Sequence, residues 1–529
     1  MATHVSQQSR FIPAAPSWRR VSILVTLLML GWAALVPAGR TTQWWHYLIG
    51  GVLIVAFLGS WHGQHLSTTV HRWAPMALYN NRQRKRGTPN RRRRNESPND
   101  AVPPAPRSDT LEARIVIHLR PHPHGLTTPS DTTDQLPWEF VTSWLNRYGV
   151  RADELNITSI TRTPPPSGLR VDAASLLTSR TPQHRETWLS YTLRADQNIG
   201  VLTAHRTTMG TPAGDDGGDG DRERPKAPQR AALADTTARR LLAELRERGW
   251  LATIDDTEAV PRFVPSTATV RRETWTATEY NDGFRAIYAV ESGALQTVLE
   301  ALPALGTKAL WVSVTIASRG SQPTTVAACV GTLTGTKPDR NPLPGLAGFH
   351  GLHRHVAAAM TATGMDYELP TTQVDPAELA SLHWPTSAPG VPIGFNRQRQ
   401  PVYLGLASPE PVRITVTGTR EFHVGVVARL ALSGLPIALA TSDVRQWGPL
   451  ANHGAPQQFS LPPTLPPADA IVVTDGSIEA PASQVTVTLR RPQASKAPAT
   501  TIVITQDLKH ANLFQITTPQ GHQMLSTRV

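Results

Sequence analysis

The chain has 529 residues, a formal net charge of +12 and one cysteine. At about 150 residues per domain this length allows roughly three folded units, and an apolar fraction of 40 % excludes a wholly disordered chain. The single Cys329 excludes a disulfide framework and any multi-cysteine zinc or iron–sulfur site.

The positive charge is concentrated at the N-terminal end. Residues 1–100 carry 13 Lys/Arg against 2 Asp/Glu, a net charge of +11, whereas the other 429 residues have a net charge of +1. An isoelectric point near 10.3 by itself favours a nucleic acid or an anionic membrane as a partner. Because residues 101–529 are nearly neutral, the inference of an anionic partner applies only to the first hundred residues.

Two uncharged apolar runs follow an N-terminal tail over 1–17. The first is Val21–Val36, and the second is Trp44–Trp61, in which only His46 could become positively charged. Each is close to the lower limit of the roughly 20 residues that cross a bilayer core of about 30 Å. Tryptophans at the ends of both runs are typical of the aromatic belt at membrane interfaces. The pattern predicts a transmembrane helical hairpin over 18–62.

Two other interpretations of these runs are buried core helices and, for the first run, a signal peptide. A signal peptide needs a small-residue cleavage site and gives no reason for a second apolar run. Basic residues flank the hairpin on its outer sides, while the connecting loop Pro37–Gln43 contains only Arg40. By the positive-inside rule, both termini and the main domain are expected in the cytoplasm, at the cell (inner) membrane. The single cysteine agrees with that compartment.

A basic juxtamembrane segment and a Pro-rich linker are predicted over 63–110. Eight of the thirteen residues from Arg82 to Arg94 are basic. No aromatic residues are interleaved with them, so contact with anionic membrane lipids is favoured over nucleic-acid binding, and no nucleic-acid partner is expected. Pro98–Pro106 predicts a stiff, extended spacer. The predicted lipid contacts are Arg82, Arg84, Lys85, Arg86, Arg91, Arg92, Arg93 and Arg94.

The rest of the chain alternates between patterns typical of strands and of helices. The Asp/Gly-rich stretch 211–229 has no apolar period and is predicted to be a disordered insertion. Helices are predicted over 137–148, 231–248 and 351–363. Strands are predicted over 111–119, 187–193, 250–254, 310–316 and 325–333.

The sharpest pattern is a β-α-β unit, which predicts a parallel sheet. Its strand Arg413–Thr417 leads through a short turn into helix Glu421–Ser433, and Ile437–Ala440 is the returning strand. The predicted fold is therefore a membrane-anchored α/β protein, with a mixed α/β cytoplasmic domain over 111–455. A β-rich C-terminal extension is predicted over 456–529.

One loop has the position of a phosphate-binding loop. Gly418–Gly425 (GTREFHVG) lies between the strand and the helix of the β-α-β unit. A Walker loop needs GxxxxGK followed by Ser or Thr, because the lysine neutralises phosphates and the hydroxyl binds magnesium. Neither residue is present, so a degenerate fold without nucleotide hydrolysis is favoured.

Other candidate residues are weaker. His118, His122 and His124 (HLRPHPHG) are interpreted as solvated loop histidines rather than zinc ligands, and so are His353 and His355. The Asp-rich centre of 211–229 lacks the ligand spacing of a calcium loop. A further acidic pair, Asp255 and Asp256, follows a strand and resembles either a common acidic turn or the metal-binding pair of nucleotide-sugar transferases. No catalytic, cofactor-binding or metal-binding residue is predicted.

Several stretches, taken in order, resemble the EccE family of membrane components of the actinobacterial type VII (ESX) secretion system. Arg185–Asp196 (RETWLSYTLRAD) is similar to the family's R-x-T-W strand, and Ala238–Gly249 to the helix after it. Trp275–Tyr288 and Gly390–Leu404 are similar to two further segments of the family. The resemblance covers most of residues 18–450, and the order of the motifs gives it weight.

The resemblance implies a structural role in assembling or stabilising the secretion complex, with no enzymatic activity and no cofactor. It implies EccB, EccC, EccD and the mycosin protease as partners, with EccC supplying the ATPase. It also implies a cytoplasmic domain that is glycosyltransferase-like in shape, which does not establish transferase activity. The alternative is a membrane-anchored glycosyltransferase-like or degenerate nucleotide-binding enzyme, with Asp255 and Asp256 or Gly418–Gly425 as its site.

Overall fold

The computed structural model places two large β-sheets after three N-terminal helices. It describes residues 18–35, 44–58, 60–61, 64–86, 112–120, 125–128, 135–174, 176–177, 183–194, 198, 227–256, 260–291, 293–318, 324–408, 410–461, 469–492 and 501–527. The predicted lipid contacts Arg91–Arg94 and the linker Pro98–Pro106 lie outside these residues.

The first two helices lie where the apolar runs predict them. They span Trp18–Leu35 and Trp44–Leu58, and they pack against each other, with Gly50 facing Leu28. No helix in the described ranges combines the length and the apolar character that a membrane crossing requires. The transmembrane hairpin over 18–62 therefore stays a prediction.

The third helix was not expected. Helix Leu66–Arg86 occupies the first part of the segment interpreted as juxtamembrane and linker, and it contains Pro75. It packs against strand Val270–Glu273 of the first large sheet. Residues 66–86 are thus a helix docked on the body of the protein rather than only a basic connection.

The first large sheet, here called the antiparallel sheet, has only antiparallel pairings among its eleven described strands. Valine, isoleucine, threonine and aromatic residues fill its central strands, which is the composition that a pleated buried surface favours. Its strands are Glu112–Arg120, Glu154–Arg162, His184–Arg194, Leu251–Asp255, Val270–Glu273, Thr278–Tyr280, Gly283–Val290, Ala309–Ala317, Thr325–Thr334, Leu346–Gly348 and Thr372–Gln373.

One long helix covers the edge of this sheet. Ala227–Glu247 packs on strands Glu112–Arg120 and Leu251–Asp255, and Ala238, Leu241 and Leu245 are fully buried along one side. The predicted helix is confirmed. It begins at Ala227, so the last three residues of the predicted disordered insertion 211–229 are helical, whereas 211–226 lie outside the described residues.

Two predicted helices are shorter than expected. The helix predicted over 137–148 spans only Trp138–Ser143. The residues after it form a small hairpin, in which Asn146–Arg147 pairs with Val150–Arg151 across a turn at Tyr148 (φ 56°) and Gly149 (φ 75°). The helix predicted over 351–363 spans only His353–Ala358, after which Met360–Thr361 pairs with Gly364–Met365.

The second large sheet, here called the mixed sheet, is parallel on one side and antiparallel on the other. The β-α-β prediction is confirmed, because strands Val412–Thr417 and Ile437–Ala440 both belong to the parallel part, separated by two other strands. The strands are Leu126–Thr127, Val391–Phe395, Pro401–Leu404, Val412–Thr417, Ile437–Ala440, Phe459–Ser460, Ile471–Thr474, Val485–Arg490, Ile502–Gln506, Leu513–Thr518 and Gly521–Ser526.

Each sheet has its own hydrophobic core. The strands of residues 456–529 pair with those of 391–440 and share one core with them, so the C-terminal residues complete the mixed sheet. Segments cross between the sheets: Leu126–Thr127 pairs with Pro401–Leu404, and the Tyr403 hydroxyl donates to the Leu176 carbonyl (2.8 Å). The mixed α/β class is thus confirmed.

The remaining elements are short. The other described helices are Gly168–Asp172, Leu295–Ala301, Pro376–Ala380, Arg420–Leu430 and Gly448–His453, with 3₁₀ turns at Leu302–Leu305, Ala431–Ser433 and Val444–Trp447. The other described strands are the pairs Ser60–Trp61 with Gln64–His65, Asn146–Arg147 with Val150–Arg151, and Met360–Thr361 with Gly364–Met365.

Candidate functional site

The loop Gly418–Gly425 lies at the carboxyl end of a parallel strand, where α/β proteins often bind phosphate. Here the side chain of Gln506, from the adjacent strand, accepts a hydrogen bond from the Thr419 amide (2.8 Å). The Gly418 amide donates to the Arg490 carbonyl (3.1 Å), and the Thr419 hydroxyl caps the helix by accepting from the Phe422 amide (3.4 Å). The two amides that open the turn are therefore engaged within the chain.

The acidic pair Asp255–Asp256 ends strand Leu251–Asp255. The indole Nε1 of Trp188 donates to Asp255 Oδ2 (3.2 Å), and His118 Nδ1 lies 3.9 Å from the same oxygen. Asp255 thus accepts a hydrogen bond from one buried ring side chain and lies near a second. Within the described ranges, no group of three or more His, Cys, Asp or Glu side chains is arranged to hold a metal ion.

The interpretation of the histidines as solvated loop residues is wrong for His118 and His353. His118 lies within a strand, is buried, and stacks on Trp188 with ring centroids 4.6 Å apart. His353 is fully buried and accepts a hydrogen bond from the Ile287 amide at Nδ1 (3.1 Å). Burial, then the neighbouring His350, lowers the pKa of His353 to about 3. Both imidazoles occupy positions in the protein interior. The prolines and arginines near them in the sequence suggested exposed loops and gave no sign of this burial.

The other histidines differ. His355 is exposed, and desolvation by its surroundings, followed by the charge of Arg354, lowers its pKa. His122 and His124 lie outside the described residues. The thiol of Cys329 is buried, and burial raises its pKa to about 12, so it is protonated at neutral pH.

The stretch Arg185–Trp188 has a different environment on each face of its strand, because successive side chains alternate. On one face Glu186 lies near His184 (3.4 Å). Burial acts to raise the pKa of Glu186, but the hydrogen bond and the charge of His184, with His118 and Arg162, outweigh it and lower the pKa to about 2. Trp188 lies on this face as well. Arg185 and Thr187 point to the opposite face, which borders a cavity.

This cavity has a volume of about 850 Å³. Its floor is the antiparallel sheet, where Ser159 and Thr161 lie beside Leu310 and Val312 of the paired strand. Its walls come from the segment 383–385 and from the helical turns over 295–305. Polar and apolar side chains share the lining, which is typical of sites for small molecules.

Three residues that line the cavity each have one buried polar atom without a hydrogen-bond partner. Arg185 donates from Nη1 to the Pro385 carbonyl (2.6 Å), while its Nε–H has no partner. The hydroxyl of Ser159 and the indole Nε1 of Trp384 are both buried and have no partner. Burial lowers the pKa of Arg185 to about 10, so it is still charged at neutral pH. The three unpartnered atoms have almost no accessible surface, so a molecule in the cavity does not reach them.

The sequence motifs include Arg185 only as part of the R-x-T-W strand that resembles EccE. The available signal was a cation near the start of a strand whose same-face neighbours Thr187, Leu189 and Tyr191 are buried. A charge in such a position needs a partner or a ligand. The other walls of the cavity come from residues more than a hundred positions away, which no local pattern connects.

No protein-family model matches the chain. The ESX-3 secretion system protein EccE3 of Mycobacterium tuberculosis is 26 % identical over 390 residues, which is 72 % of this chain and 95 % of that protein. EccE3 of Mycolicibacterium smegmatis is 26 % identical over 342 residues, covering 64 % of this chain and 85 % of that protein. The resemblance to EccE that the sequence motifs predict is confirmed.

Proposed function

We propose that this chain is a structural, non-catalytic component of a type VII (ESX) protein secretion complex, which it stabilises or completes in the cell membrane. The observation that carries the proposal is the extent of the similarity to EccE3. It covers 95 % of the Mycobacterium tuberculosis protein and 72 % of this chain. A similarity of that extent involves almost the whole architecture of the relative rather than one shared motif.

We further propose that residues 18–62 anchor the protein as a transmembrane hairpin with both termini and the main domain cytoplasmic. Large apolar side chains on the first two helices are exposed, which favours contact with lipid or with other membrane subunits. They include Ile23, Met29, Leu30, Leu48, Val52 and Ile54. Lipid contact through the basic residues Arg82 and Arg84, at the end of the third helix, belongs to the same proposal.

The third helix supports a rigid connection between this anchor and the body. The Asn80 side chain donates to the Glu273 carbonyl (2.7 Å) and accepts from the Glu273 amide (2.9 Å). Next to it, Arg354 binds the Glu273 carboxylate (3.2 Å) and covers the ring of Tyr79 (4.1 Å to the centroid). The helix is thus held on the antiparallel sheet by two hydrogen bonds and one cation–π contact, and the Arg354–Glu273 ion pair orients the residues that it contacts.

The proposed partners are the other ESX membrane components, EccB, EccC, EccD and the mycosin protease. An anchor confines the cytoplasmic body near the membrane and raises its effective concentration for such partners. The nearly neutral charge of residues 101–529 suits protein partners better than nucleic acid.

The enzymatic alternative has less support. The residues that would carry it make structural contacts: Gln506 engages the amide of Thr419, and Asp255 accepts from Trp188. A nucleotide would have to displace Gln506 before reaching the start of the helix.

Deletion of the gene in its native host tests the function. We expect loss of secretion of the small WXG-type substrates while their intracellular levels persist, with recovery when the full chain is supplied. Unchanged secretion in the deletion strain would contradict the proposal. A reporter fused at Gly39 tests the topology separately and is expected to be active outside the cytoplasm.

A further inference from the structure

We propose that helix Leu66–Arg86 lies in the interface of an anionic membrane leaflet. Its outer apolar face is inserted among the lipids, while its inner face is bound to the antiparallel sheet. The helix thereby fixes the orientation of the body relative to the membrane. This inference rests on the proposed hairpin anchor and adds a second, different membrane contact to it.

The first argument is the apolar pattern on the outer face of the helix. Val70, Trp73, Ala74, Ala77 and Leu78 are spaced as i, i+3, i+4, i+7 and i+8, which places them on one side. The three large side chains of this set are 60 % (Val70), 56 % (Trp73) and 60 % (Leu78) exposed. A continuous patch of large exposed apolar side chains marks a surface that lipid or a protein partner covers.

The second argument is that the body holds the helix by another side. Asn80 exchanges two hydrogen bonds with the backbone of Glu273, and Arg354 covers the ring of Tyr79. Tyr79 comes nine residues after Val70, which is about two and a half turns, so the two side chains point in opposite directions. The helix can therefore contact the sheet and a membrane at the same time.

The third argument is the charge of the helix, which selects an anionic surface. Its 21 residues include five Lys or Arg and no Asp or Glu. Four of the five lie in its last five residues, where Arg82 and Arg84 are exposed. Basic residues beside a membrane are attracted to anionic headgroups, and tryptophan is enriched at the headgroup level. An apolar face with a tryptophan and a strongly basic end is typical of helices that lie on membranes, which favours lipid over a protein partner.

The fourth argument is the position of the helix directly after the proposed anchor. The second helix ends at Leu58, and the chain turns where Ser60–Trp61 pairs with Gln64–His65. The third helix begins at the next residue, Leu66, and it contacts the second helix. A hairpin that crosses the bilayer therefore brings the start of the third helix to the cytoplasmic surface of the membrane.

The test is site-directed spin labelling of the purified full chain in nanodiscs that contain phosphatidylglycerol. The one natural cysteine, Cys329, is buried and does not compete for the label. Labels at Val70→Cys and Leu78→Cys report the outer face, and both positions are exposed, so the docking contacts stay intact. Val171→Cys, at a valine of the body that is 74 % exposed, is the matched control.

We expect the labels at positions 70 and 78 to collide with a water-soluble nickel chelate at least about threefold less often than the label at position 171, and more often with oxygen. In nanodiscs of phosphatidylcholine alone, the protection of both labels is expected to fall at least about twofold, because the anionic headgroups are absent. The nanodiscs contain no other subunit, so protection of these labels identifies lipid as the occupant.

A label at Val52→Cys, on the second helix, reports the anchor separately. Protection at position 52 together with chelate access at positions 70 and 78 equal to that at position 171 would overturn this inference and leave the anchor standing. Free chelate access at position 52 would overturn both. Equal protection in anionic and neutral nanodiscs would overturn the selection of anionic lipid.

Discussion

The docking of helix Leu66–Arg86 can be tested with a single substitution. Asn80→Ala removes both side-chain hydrogen bonds to the backbone of Glu273 (2.7 and 2.9 Å). Each such bond contributes about 1 kcal/mol, and a buried donor left without a partner costs about 1–3 kcal/mol. We therefore expect the docked state to lose at least about 2 kcal/mol, which is roughly a 30-fold rise in the opening equilibrium.

Hydrogen exchange of the full chain measures this change directly. In Asn80→Ala, the amides of residues 66–86 and of Glu273 are expected to exchange about 30-fold faster, with little change in the mixed sheet. The matched control is Asn81→Ala, at the next and exposed position of the same helix. Because it has the same change in helix propensity, equal acceleration in both variants would refute the docking argument.

Two further predictions concern the folded body. Burial of His353 keeps its pKa near 3 in the folded protein. Below about pH 6.5 the unfolded chain therefore binds a proton at this histidine that the folded protein does not bind. As the pH is lowered from there towards 3, the free energy of unfolding falls by about 1.4 kcal/mol per pH unit. His353→Asn, whose amide oxygen can accept from Ile287, is expected to flatten the pH dependence of the melting temperature between pH 6 and 4, and an unchanged slope would contradict this assignment. Thr419→Ala removes the cap of helix Arg420–Leu430 and is expected to cost about 1 kcal/mol in denaturant unfolding. Thr419→Ser keeps the capping oxygen and should cost much less, so equal losses would argue against the cap.

Short sequence patterns predicted the helices and strands whose formation depends mainly on neighbouring residues. The helix at Ala227–Glu247 was evident because Ala238, Leu241 and Leu245 recur at helical spacing, and the structure buries all three. The β-α-β unit was evident because the strand, the helix and the returning strand follow one another within thirty residues.

Long-range pairing was not predictable in the same way. Strands Ile471–Thr474 and Val485–Arg490 lie between the two strands of the β-α-β unit, and nothing within the unit indicates their insertion. The third helix was missed because the basic residues at its end were interpreted as part of a juxtamembrane connection. The division into a domain over 111–455 and an extension over 456–529 stays a prediction.

The candidate sites also depend on contacts between residues that are distant in the sequence. The sequence showed that Gly418–Gly425 lacks the lysine and hydroxyl of a Walker loop, but only the fold shows Gln506 engaging Thr419. The cavity beside Arg185 arises where strands 154–162 and 309–317 meet the segment 383–385, so its lining is assembled only by tertiary structure.

The central claim is that the protein is part of an ESX secretion complex. Its most direct test is extraction of the tagged full chain from native membranes in a mild detergent, followed by native electrophoresis and mass spectrometry. We expect co-migration with EccB-, EccC- and EccD-type subunits in one large complex. Migration as a separate 57.6 kDa protein, particularly one that binds a nucleotide-sugar tightly, would contradict it.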